Sequence, residues 1–144
     1  MNLKIFNGFA EGIHLKSIEA YKLFIVKLLN YGLIPTSVNV NTNCFIAEYR
    51  ECHDNTEAYC ALNNSCKRIR GWICLSYSGS PYTTLASHSI IQTEENEFID
   101  ITPSLIPNEN KFLPSFLSDS DYDNLIMHLY ESYGETTMHI KMPT

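Results

Sequence analysis

The sequence has no apolar stretch approaching the roughly 20 residues that a membrane-spanning helix requires, so no membrane partner is expected. Its opening, Met1-Asn2-Leu3-Lys4-Ile5-Phe6, lacks the basic start, long apolar stretch and small-residue cleavage site of a secretory signal, which makes the cytoplasm the expected compartment. Basic residues are also few: 10 Lys and Arg stand against 16 Asp and Glu, for a formal net charge of −6. A nucleic-acid binder needs a basic face to displace counterions, so nucleic acid is not an expected partner. The one basic cluster, Lys67-Arg68-Ile69-Arg70, is read as a solvated turn. None of the five cysteines forms a Cys-x-x-Cys pair, the spacing by which a short loop turns two thiolates toward one tetrahedral ion, and no metal or other cofactor is expected. An odd cysteine count also argues against a disulfide framework. Cys60, Cys66 and Cys74 are therefore read as small, mostly buried apolar residues.

What remains is enough for one core. With 144 residues, 44% of them hydrophobic, the chain can bury one proper interior but is short for two, and residues 1–144 are expected to form one domain. Apolar positions Ile18, Tyr21, Phe24, Ile25, Leu28 and Leu29 recur at helical spacing over 17–31, with Ser17 placed to cap the start and Gly32 the end. The segment 35–43 reads as an extended connection. A second helix is predicted from Cys52 or Asn55 to Asn63, and a last one over 119–133. Between them lie three predicted strands, near 70–77, 84–93 and 97–102, separated by Ser78-Gly79-Ser80-Pro81 and by Glu94-Glu95-Asn96. Pro103, Pro107 and Pro114 punctuate a long loop after them, and the tail from Thr136 carries no readable pattern. The order predicts an α+β fold in which N-terminal helices pack on a small antiparallel sheet and a C-terminal helix follows.

Three residues of this framework carry chemistry. Cys52 opens the second helix, where unpaired backbone N–H groups favour negative charge and could hold an oxyanion. A thiol attacks as its thiolate and needs a base, which His88 supplies from the second strand. Asp100, on the third strand, falls near His88 if the two strands pair across Glu94-Glu95-Asn96, and would hold the tautomer and orientation of the ring. Beside them, His53 could raise the acidity of the thiol, Asn55 could donate to the oxyanion or cap the helix, and Trp72 could wall a substrate groove or lie in the core.

The chain order of Cys52, His88 and Asp100 resembles the papain-like and transglutaminase-like superfamily, in which a cysteine at a helix N-terminus faces a histidine and an acidic or amide residue on adjacent strands. More narrowly, Cys52-His53-Asp54-Asn55, Gly71-Trp72, His88-Ser89, Ile99-Asp100-Ile101-Thr102-Pro103 and Phe112-Leu113-Pro114 together are similar to a group of uncharacterised bacterial domains. The resemblance covers roughly residues 50 to 115. It implies a papain-like fold with Cys52 as nucleophile, His88 as base and Asp100 as orienting carboxylate. No Gln precedes Cys52 at the superfamily's oxyanion-donor position, and no Cys-Gly-x-Cys-Trp signature is present.

The expectation is thus a cysteine hydrolase or acyltransferase, of protease, amidase or deamidase type, acting on an amide or isopeptide bond of a protein or peptide through a thioester. One alternative is a non-catalytic protein-interaction module on the same scaffold. Another is a metal site built from Cys52, His53, His88 and Asp100.

Overall fold

The structure, a computed structural model, describes residues 18–76, 81–104 and 110–141. The expected cap at Ser17, the turn residues Ser78, Gly79 and Ser80, and Pro107 lie outside the described residues. Helix α1 (Ile18–Val26) ends earlier than its apolar periodicity suggests, because the following amides of Lys27, Leu28 and Tyr31 bond three residues back and tighten the chain into a 3₁₀ turn at Leu29–Tyr31. Helix α2 runs Cys52–Leu62 and helix α3 Asp119–Tyr133. Ser118 caps α3 by accepting a hydrogen bond from the Asp121 amide, and Gly134 closes it with a left-handed φ of 73°.

A six-stranded sheet joins the helices. Strands β2 (Lys67–Ser76) and β3 (Tyr82–Gln92) form its long antiparallel centre, flanked by β4 (Phe98–Asp100) and β5 (Phe112–Pro114), with β1 (Thr36–Ser37) beyond β4 and β6 (Thr137–Lys141) also on β3. The sheet is mixed, not wholly antiparallel as expected, because β1 pairs with β4 in parallel. Pro114 closes an edge strand, Phe112-Leu113-Pro114, where a loop was expected. Proline can stand there because an edge residue has no second neighbour to receive an N–H. At Gly71, opposite Pro114, the absent side chain admits that neighbour: a Cβ would lie 2.2 Å from the Leu113 carbonyl oxygen.

The basic cluster proves to be the start of β2 instead of a turn. Alternation sends Arg68 and Arg70 to one side, where Arg70 pairs with Asp123 at 2.6 Å and Arg68 with Glu57 and Asp119 at 3.8 and 3.7 Å. The same alternation sorts the interior. Trp72, Leu85 and Leu113 face α1 and α3 and pack with Tyr21, Ile25, Tyr122 and Leu129, while Ile73, Ile90 and Phe112 form a smaller cluster on the opposite face. Trp72 is fully buried and donates its indole N–H to the Tyr21 hydroxyl, which in turn donates to the Ser115 carbonyl. It is a core residue and does not wall a groove. Cys60, Cys66 and Cys74 are half-buried instead of mostly buried, and Cys44 is exposed.

Candidate active site

The site forms where one edge of β3 is shared by two strands. β2 accompanies β3 along one side from Thr83 to Gln92, so β6 and β4 both occupy the other: β6 pairs with 82–86 and β4 with Ile91 and Gln92. Residues 87–90 fall in the fork between them. The first turn of α2 reaches that fork, with His53 Nδ1 hydrogen-bonded to the Ser89 hydroxyl.

The β3–β4 hairpin turns at Glu94-Glu95-Asn96 as expected, with Asn96 in the left-handed region at φ 64°. Its register pairs Ile91 with Ile99, and continuing it by one position sets Asp100 beside Ile90, a same-face diagonal neighbour of His88. His88 Nε2 and Asp100 Oδ2 are 2.7 Å apart, and the Thr102 amide donates to Asp100 Oδ1 at 3.1 Å. Both carboxylate oxygens are therefore engaged, and His88 keeps Nδ1 for the thiol. Phe112 packs edge-on against the His88 ring and limits its rotation.

Cys52 is the first residue of α2 and is 9% exposed. The Asn55 amide makes the first intrahelical bond, to the Glu51 carbonyl, so the amides of Cys52, His53 and Asp54 precede the hydrogen-bonded ladder and give the helix start its positive potential. Burial pushes the thiol up, but the neighbouring His53 and His88 rings outweigh it and bring the Cys52 pKa down from 9.0 to about 6. Burial likewise opposes charge on His88, yet the hydrogen bonds to Asp100 and Cys52 and their negative charge raise it from 6.5 to about 9. Among the remaining thiols, burial raises Cys60 and lifts Cys74 to about 11. The depression to about 6 thus sets Cys52 apart from both.

The structure brings Cys52, His53, His88 and Asp100 together. His53 stacks edge-on against Tyr122, and its Nε2 is buried with no aligned hydrogen-bond partner, although the ring is near enough to the sulfur to stabilise the thiolate. Asn55 does something other than cap the helix. Its side chain donates to the Glu48 carbonyl at 2.7 Å and to the Thr102 hydroxyl at 3.2 Å, while its oxygen accepts from the Glu48 amide at 2.9 Å. With both amide hydrogens used, Asn55 serves as a strut between the chain entering α2 and the segment after Asp100. Sequence reasoning gave no role to Ser89, Thr102 or Tyr122. Thr102 stood within the Asp-Ile-Thr-Pro motif and Ser89 within the His88-Ser89 motif, whereas nothing local to Tyr122 marks its part.

A cleft of about 520 Å³ opens over these residues, lined by Cys52, His88 and Asp100 together with Tyr49, Arg50, Ile73, Ser87, Thr102 and others. Among the described residues, no group of three or more His, Cys, Asp or Glu side chains is arranged to hold a metal ion. No helix among them is long and apolar enough to cross a membrane. An imidazole-paired thiolate at a helix start, open to a cleft and backed by a carboxylate-held ring, can attack an electrophilic carbonyl and supply a proton to the departing group. No known protein family, curated protein or solved structure matches the chain.

Proposed function

We propose that the chain is a papain-like cysteine hydrolase or acyltransferase that acts on an amide or isopeptide bond of a protein or peptide. The observation that carries this reading is the open cleft that Cys52, His88 and Asp100 line together, with the His88 ring held by Asp100 at 2.7 Å and the Cys52 thiol lowered to about 6 beside the His53 and His88 rings. In the first step the Cys52 sulfur bonds to the carbonyl carbon, and the amide hydrogens at the start of α2 receive the charge on the oxygen. The tetrahedral centre collapses as the C–N bond breaks, and the His88 imidazolium gives its proton to the departing amine. A thioester remains on Cys52. Water or an acceptor amine then attacks it, His88 takes the incoming proton, and the thiolate is released. Asp100 holds Nε2 throughout, which keeps Nδ1 directed at the sulfur.

The test is mass analysis after incubation with a p-nitrophenyl ester. The expected result is an acyl adduct on Cys52 that hydroxylamine removes and that is missing in Cys52→Ser and His88→Ala. An adduct spread evenly over the accessible thiols, or none on Cys52, would sink the proposal.

A further inference from the structure

The cleft carries a cation that the chemistry above does not use. Arg50 lies two residues before the nucleophile, is exposed, and lines the cleft with Cys52 and His88. The sequence holds three arginines. Arg68 and Arg70 are held by carboxylates, whereas Arg50 makes no ion pair among the described residues, in a chain whose net charge is −6. Its backbone stands at φ 66°, a left-handed conformation that a long side chain adopts only when its surroundings impose it and that is enriched at ligand-binding positions. Tyr49, a second lining residue, lies under the guanidinium with the ring centre 5.2 Å away. The other full charges of the cleft are already matched: Asp100 is bonded by His88 and by the Thr102 amide, and the His88 imidazolium faces the Cys52 thiolate. Among the described residues Arg50 is left as the uncompensated charge of the cleft, with a planar fork of donors that suits a carboxylate in two-point contact.

We infer that Arg50 is a specificity residue that receives a substrate carboxylate close to the bond under attack, so that the favoured substrates are acidic peptides or peptides ending in a free carboxylate. This inference rests on Cys52 being the nucleophile. Alkylation tests both, because iodoacetate and iodoacetamide react with sulfur at the same kind of CH2–I carbon, with iodide leaving, and differ in carrying a carboxylate or a neutral amide. In Arg50→Gln the ratio of the iodoacetate to the iodoacetamide rate at Cys52 falls about threefold to tenfold, in the range that local charge alters encounter rates, and Arg50→Lys recovers part of it. The ratio cancels any change in the thiol's own reactivity. An unchanged ratio, with iodoacetamide still selecting Cys52 in the parent, overturns the role of Arg50 and leaves the nucleophile standing. Loss of that selectivity in the parent overturns both. Two blocked peptides then assign the carboxylate, one with an internal aspartate and an amidated end, the other without acidic side chains and with a free C-terminus. The one that slows iodoacetamide labelling of the parent, but not of Arg50→Gln, carries the recognised group. Protection by neither, or equal protection of both proteins, overturns the inference.

Discussion

At the scale of single side chains, Cys52 and His88 each hold the other's charge, and the sign of the effect fixes a pH window. The thiol is lowered to about 6 and the imidazole raised to about 9, so the thiolate–imidazolium form dominates between those values. Alkylation of Cys52 needs the thiolate alone and should rise through about pH 6. Acyl transfer from an amide also needs the imidazolium proton for the departing amine and should fall again above about pH 9, giving a bell-shaped profile measurable with a chromogenic amide substrate. His88→Ala removes the base and its positive charge together, and is expected to lower acyl transfer at neutral pH on the order of 10²- to 10⁴-fold while the labelling midpoint of Cys52 moves up. Asp100→Asn weakens the hold on protonated His88, so the alkaline limb should move to lower pH. A limb that stays in place in that variant would detach Asp100 from the titration. Cys52, His88 and Asp100 were legible in the sequence because each sits on an element with a clear pattern. The engagement of Asn55 was not, since an Asn near a helix start gives the same local signal whether it caps the helix or reaches back to Glu48.

Among the secondary-structure elements, those with strong periodicity were readable and those held mainly by backbone pairing were not. Helix α3 matches its predicted span because its apolar positions recur without interruption between Ser118 and Gly134. β1 is two exposed residues tied to β4, and β6 has only Met138 and Ile140 buried, so neither leaves a pattern long enough to recognise. β5 was hidden by its proline. These elements give two predictions of stability, both measurable by denaturant unfolding. Gly71→Ala places a carbon against the backbone of β5 and should cost about 1–3 kcal/mol or more, by parting β5 from β2. Asn55→Ala removes the strut between Glu48 and Thr102 and should cost about 1–3 kcal/mol, with a slower alkylation of Cys52 as α2 loses its fixed entry.

On the scale of the whole molecule, the two faces of the sheet do different work. One buries Trp72 among Tyr21 and Tyr122, and the other carries His88 above Phe112. The sole tryptophan therefore reports on the core and the reactive thiol on the opposite side. If residues 1–144 unfold as one cooperative unit, Trp72 fluorescence and the preferential labelling of Cys52 should be lost at the same denaturant concentration. Separate midpoints would show that the site can come apart while the core persists. The fork in the edge of β3 bears on how such a chain can diverge. Successive side chains of a strand point to opposite faces, so inserting or deleting one residue between Tyr82 and His88, with β6 held in place, would turn the imidazole into the hydrophobic interior and bring Ser89 or Ser87 round to the thiol. Descendants of this chain are free to exchange many side chains along that strand, but its length there is a heritable constant for as long as the proposed reaction is kept.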